Sequence, residues 1–158
     1  MANWCSNTVV FLGEQDQIQG IARLFTQMAA KEQKEDKGQL PDFISAQADW
    51  FFSIGWEQDV LYYETKWSPN LSVVKAIADH FGVGFIAGYS ETGNLVFGEA
   101  TYENGLLSDT FLDNDDFLLF EHDEESDTYI FEDDRYASYD EILEILLERK
   151  KAIQSLAS

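Results

Sequence analysis

Between Lys75 and Arg135 the chain has sixteen Asp and Glu and not one Lys or Arg. Twelve of those acids follow Glu103. An ionised carboxylate without a counter-charge is too costly to bury, so this stretch folds only where its acids reach water, a metal ion or a basic partner. The interior must come from the residues between them. Those are plentiful, since 45% of the chain is apolar and 15% aromatic. Such content separates the chain from disordered acidic proteins despite a net charge of −20. The expectation is a packed core inside a negative surface, which repels nucleic acid and favours encounter with cations.

The 158 residues suit one domain with a sizeable core. Cys5 is the only cysteine, which excludes an intrachain disulfide and a Cys-based zinc or iron–sulfur site. The N-terminus has no basic and apolar signal pattern. The longest apolar runs are about four residues, against roughly 20 for a bilayer span. A cytoplasmic protein with no cofactor and no membrane contact is expected.

Hydrophobic periodicity gives the order of elements. Thr8 to Leu12 is a β-branched run stopped by Gly13 and predicts a strand beginning near Cys5. Ile18, Ile21, Ala22, Phe25, Met28 and Ala29 then follow helical spacing, and the helix is expected to dissolve in the charged run 31–38. Trp50–Ile54 and Val60–Trp67 predict a hairpin turning at Glu57–Asp59. Ser68 is placed as an N-cap with Pro69 at the first helical position. Leu71, Val74, Ile77, Ala78 and Phe81 form a second helical stripe, closed by Gly82. Strands follow at Val83–Ser90 and Leu95–Glu103, and Asn104-Gly105 is a tight hairpin signal for a further strand.

The sequence therefore predicts an α+β domain of the ferredoxin-like split βαβ type: β-α-β-β-α-β plus extra strands, with helices on one face of a mainly antiparallel sheet and a C-terminal helix. Residues 1–105 would form this core. Residues 106–158 carry sixteen acids against four bases and read as an acidic strand pair and a C-terminal helix packed on the same domain. The strands are expected at Phe117–Phe120 and Thr128–Phe131, joined by an acidic loop and extending the same sheet. Ser138 and Glu141 suggest a capping box, with Ile142, Leu143, Leu146, Ile153 and Leu156 lining the helix.

Three stretches bring in a family. The opening heptapeptide Met1-Ala-Asn-Trp-Cys-Ser-Asn7, the corner Thr65-Lys-Trp-Ser-Pro69 and the segment Gly98-Glu-Ala-Thr-Tyr-Glu-Asn-Gly105 together resemble the ferredoxin-like domain family of phage- and plasmid-borne proteins, the YubB-like group. The resemblance covers the first two thirds of the chain. It implies the fold and an origin in mobile elements or bacteria that carry them, and it brings no catalytic residues.

Candidate chemistry is sparse. Cys5 with His80 or His122 would need a base within hydrogen-bond reach, and a buried thiol is the simpler reading. Sheet aromatics such as Trp4, Tyr62, Phe97 and Tyr102 suggest stacking of bases, but the strands lack the basic footprint that nucleic acid requires. They serve a core, or a pocket for a small ligand. Asp123, Glu125, Asp127 and Asp134 have loop-like spacing for calcium, yet Thr128 stands where the EF-hand needs glycine. Charge density permits partial imitation of DNA without requiring it. Twelve acids in 26 residues, even with two strands paired, give one charge per ~3.5 Å against ~1.7 Å for the duplex.

Two functions remain open. The first is a non-enzymatic interaction module whose acidic face, drawn from Asp113, Asp115, Asp116, Glu121, Asp123, Glu124, Glu125, Asp127, Glu132, Asp133 and Asp134, meets a basic protein. The second is a small-ligand or divalent-cation (calcium) binding domain. A solvated rim that serves solubility is the bland account of the same acids.

Overall fold

A computed structural model describes residues 3–157. Met1 and Ala2 of the opening heptapeptide lie outside the described residues. β1 (Trp4–Leu12) alternates strictly, with Cys5, Asn7, Val9 and Phe11 buried and the residues between them turned outward. α1 (Gln15–Glu35) starts at a capping box in which the Glu14 amide donates to Gln17 Oε1 at 2.7 Å. Its buried face is Ile21, Phe25 and Met28. The helix continues through the charged run expected to end it. Lys31 and Glu35 pair along it, and Glu32 accepts the amides of Ser53 and Ile54 at 2.6 and 3.0 Å.

β2 (Phe52–Glu57) and β3 (Val60–Lys66) form the expected hairpin, its turn at Gln58 and Asp59 with both φ angles positive. α2 (Leu71–Phe81) begins later than the Ser68 and Pro69 signals suggested, with Asn70 in the capping position. Gly82 closes it in the left-handed conformation, as expected. β4 (Gly84–Glu91), β5 (Val96–Glu103) and β6 (Leu106–Phe111) complete an antiparallel sheet of order β2-β3-β1-β4-β5-β6. The first four strands have the split βαβ arrangement, with β1 between β3 and β4. Asn104-Gly105 turns between β5 and β6, so the change in composition after Gly105 falls inside a hairpin of the main sheet.

α1 and α2 lie on one face of the sheet. Phe25, Phe51, Leu61, Ile77 and Phe85 are fully buried between the layers, each contributing about 1.5–3 kcal/mol of burial. The chain after Phe111 departs from expectation. Phe117–Phe120 is not the expected strand: Phe117 ends a short helix, α3 (Asn114–Phe117), which Asp113 and Asp116 cap reciprocally, and residues 118–120 form a turn and bend. Thr128–Phe131 is a strand, but it does not extend the main sheet. It is the middle of a separate small sheet, β7 (Glu121–Asp123), β8 (Thr128–Phe131) and β9 (Asp134–Tyr136).

α4 (Asp140–Ala157) packs on the sheet face opposite α1 and α2. Ser138 Oγ accepts the Asp140 amide at 3.2 Å, so the cap forms with Asp140 and not Glu141. Ile142, Leu143, Leu146 and Leu147 join Leu112 and Phe131 in a second core. Further along, the inward stripe turns polar: Lys151 reaches Glu99 and Gln154 accepts from Thr110. Ile153 and Leu156 are off this stripe and exposed, against expectation. Among the described residues no helix is long and apolar enough to cross a membrane. Leu143→Ala should lower unfolding stability by about 2–5 kcal/mol. Denaturant titration checks this, and a single shifted transition is expected, because α4 closes the uncovered side of β5 and β6.

Candidate functional site

The two helices cover the ferredoxin-like part of the sheet and leave part of β5 and β6 uncovered on the same side. There the surface recedes into a cleft of about 750 Å³ between the start of α2, strands β4–β6 and residues 113–115. Strand register explains its floor. Tyr89, Gly98 and Phe111 lie in one row across β4, β5 and β6. Gly98 has no side chain to fill the row, so the Tyr89 ring lies across it. A Cβ on Gly98 would stand 2.6 Å from Tyr89 Cζ and 2.8 Å from the Thr110 carbonyl oxygen. The Tyr89 hydroxyl passes over β5 and donates to Asp109 at 2.6 Å. Burial and this bond together push the Tyr89 phenol far above the ordinary tyrosine range.

The rest of the wall mixes charge and apolar surface. Asp49, Asp113 and Asp115 join Asp109, while Leu71, Leu95, Val96 and Phe111 supply hydrocarbon, and among the described residues no Lys, Arg or His lines the cleft. Asp113 pairs with Lys150 at 3.4 Å, and its carboxyl is held below the usual range by the Asp116 amide and by that ammonium. Asp49, Asp109 and Asp115 have no ion pair among the described residues.

A polar chain fixes the α2 side of this cleft. Buried Asn7 donates to the Cys5 carbonyl at 2.9 Å and to Thr65 Oγ1 at 3.0 Å. Thr65 donates to the Ser68 carbonyl at 2.7 Å. Tyr63 donates to Asn70 Oδ1 at 2.8 Å, and Asn70 Nδ2 donates to the Asp49 carbonyl at 3.0 Å. Asn70 is thereby drawn away from capping α2 and used to tie the loop that carries Asp49.

A family model for a ferredoxin-like domain in Api92-like protein matches residues 46–132. The chain belongs to this family. The match runs from before β2 to the end of β8, so the cleft-lining residues of this ferredoxin-like domain all fall within it, while β1, α1 and α4 lie outside. No curated protein and no solved structure matches the chain.

The acids singled out in the sequence do not gather into one ridge. Asp113, Asp115 and Asp116 sit at α3. Asp123, Glu124, Glu125 and Asp127 lie at the β7–β8 turn, and Glu132, Asp133 and Asp134 at the β8–β9 turn, the opposite end of the small sheet. Glu121 begins β7 near that second end. Five have partners: Asp113 and Asp116 with Lys150, Asp123 with Arg135, Glu132 with Arg149 through two bonds of 2.7 and 2.8 Å, and Asp127 with His122. Asp123 and Glu132 are held below the carboxylate range chiefly by their arginines.

Asp123, Glu125, Asp127 and Asp134 are not brought together as a calcium site. Among the described residues no three His, Cys, Asp or Glu converge to hold a metal ion. Asp123 is occupied by Arg135 and by the Glu125 amide, and Asp134 lies at the other end of the sheet. Cys5 is fully buried and burial pushes its thiol up. His80 stacks on Phe43 at 3.8 Å and His122 faces Asp127. The thiol–imidazole pairing is absent.

The Tyr89–Gly98–Asp109 arrangement was missed in the sequence, although a lone glycine inside a strand signals close approach. Tyr89→Phe should lower stability by about 1–2 kcal/mol through loss of a hydrogen bond to a carboxylate. The alkaline limb gives a second readout. Tyr63 and Tyr89 both have raised folded-state values, so their contribution is complete below about pH 10, where unfolded tyrosine ionises, and is lost as pH rises further. Denaturation midpoints measured from pH 8 upward should fall above about pH 10, less steeply in Tyr89→Phe.

Proposed function

We propose that this domain is a non-enzymatic, cytoplasmic interaction module that binds a basic protein, and that it originates among phage- or plasmid-borne proteins of the YubB-like group. The observation that carries the reading is how its few cations are used. Residues 106–158 have four bases, and Arg135, Arg149, Lys150 and Lys151 are each engaged by the domain's own carboxylates. None is left to offset Asp115, Glu121, Glu124, Glu125, Asp133 and Asp134. These lie in three places around the small sheet and α3, which suits long-range attraction of a basic surface more than one contact strip. Cys5 is sealed in the core and both histidines are engaged by other groups, which supports a role without nucleophilic chemistry.

Fluorescence anisotropy with a labelled arginine- and lysine-rich peptide tests this. Affinity should fall about tenfold or more as salt rises through the range in which the Debye length drops from about 10 to 3 Å. Neutralising Glu124, Glu125, Asp133 and Asp134 to their amides should weaken binding several-fold at low salt. Absent binding, or binding indifferent to salt, counts against the proposal.

A second reading, a small-ligand domain, is favoured by the cleft, whose size falls within the range of about 300–1,000 Å³ typical of ligand pockets. In a thermal-shift screen a neutral or cationic metabolite would raise the melting temperature by mass action. No response across a broad panel removes this reading. Calcium is included there, and no shift is expected with it, since the late carboxylates do not converge.

A further inference from the structure

We infer that the cleft between the start of α2 and strands β5–β6 seats an arginine side chain of the basic partner. This rests on the reading of the domain as a receptor for basic proteins and gives that reading a place and a chemistry. The cleft has what an arginine needs at both ends of its side chain. Leu71, Leu95 and Val96 offer hydrocarbon for the stem. Asp109 offers a carboxylate already oriented by Tyr89, with only one of its oxygens engaged. Asp49 and Asp115 stand at the wall without cations of their own. Phe111, 54% exposed, presents a ring on which a planar guanidinium stacks.

The opposing electrostatics are smaller. The start of α2 brings about half a positive charge to the cleft, against three unpaired carboxylates. Asp113 adds little to this balance, because Lys150 already neutralises it. A guanidinium is favoured over an ammonium for two reasons. It forks between carboxylate oxygens, and it gives up its weaker hydration more readily. The volume admits the side chain together with flanking backbone, which fits a segment of a protein better than a bare ion.

The test uses the full chain and three labelled basic peptides that differ at one position: arginine, lysine or the neutral isostere citrulline. The arginine peptide should bind about tenfold tighter than the citrulline peptide and several-fold tighter than the lysine peptide. Asp109→Asn should erase the arginine preference. Ser72→Trp, a change at an exposed wall residue that fills the cleft without touching the core, should do the same, with circular dichroism confirming the fold. Proton resonances of the Tyr89 and Phe111 rings should move on addition of the arginine peptide. The amide variant at Glu124, Glu125, Asp133 and Asp134 should weaken all three peptides while keeping the preference.

The outcomes separate the two proposals. If the peptides bind in a salt-dependent way but arginine and citrulline are equal, or the preference survives Asp109→Asn and Ser72→Trp, the cleft assignment is overturned and the general role stands. If no basic peptide binds, both fall.

Discussion

Two helices cannot cover six strands. A helix with its side chains is about 10–12 Å across, while strands lie about 4.7–4.9 Å apart, so each helix shields roughly two of them. α1 and α2 accordingly cover β2, β3, β1 and β4, the four strands of the split βαβ unit. One end of β5 shares that cover, where Ala100 and Tyr102 are buried and Tyr102 donates to Asp79 of α2, but the rest of β5 and most of β6 need another solution on each face. On one face α4 supplies it, first with leucines and isoleucine and then with polar side chains that meet Glu99 and Thr110. On the other face no third long helix arrives among the described residues, and the uncovered strip becomes the cleft. The site is thus the remainder left by extending a four-stranded fold.

What keeps that remainder open is polar and local. The Thr65–Ser68 bond holds the corner tight, and Asn70 is occupied by Tyr63 and the Asp49 carbonyl. Every side-chain oxygen and nitrogen buried among the described residues has a partner, which gives such a network its rigidity. Gly98 acts from the floor. An alanine there would meet a backbone carbonyl as well as the Tyr89 ring, so the carboxylate of Asp109 owes its orientation to a missing methyl group on the strand between it and Tyr89.

The ferredoxin-like half was legible because its signals agree with one another. The alternation of β1, the helical stripe of α2, the Gly82 cap and the Asn104-Gly105 turn all appear where periodicity and turn chemistry put them. The late segment was misread where a local signal was overlooked or was missing. Asp113 and Asp116 stand three apart, as a capping box does, and they start a helix that ends at Phe117, so the Phe-Leu-Leu-Phe run that looked like a strand is a helix end followed by a turn. The β8–β9 turn uses Glu132 and Asp133 at positive φ, residues that carry little of the Asn-Gly signal such turns usually show. Separation of the small sheet from the main one depends on α4 taking Phe131 into the second core, a contact between distant segments that no window of sequence contains. The cleft was illegible for the same reason. Its carboxylates come from distant positions: the register of β4, β5 and β6 sets Asp109 within reach of Tyr89, the Asn70 bond holds the loop that carries Asp49, and α3 carries Asp115.

Charge composition alone did not point to the cleft. The densest acidic run, Asp123 to Asp134, contains the acids best served by the domain's own cations: Arg135 reaches Asp123, and Arg149 grips Glu132 while its guanidinium lies 5.4 Å from the Phe131 ring. Those pairs stitch the small sheet together and to α4, so part of the negative charge serves the fold. The cleft acids are fewer, but among the described residues no lysine or arginine pairs with Asp49, Asp109 or Asp115, and apolar walls limit the water that screens them. A carboxylate beside a low-dielectric wall attracts a cation more strongly than the same group on an open turn. On the proposed role as a receptor for a basic partner, fewer charges in a recess would therefore outrank many on the rim in setting what is selected, while the rim would govern how fast a cationic partner arrives.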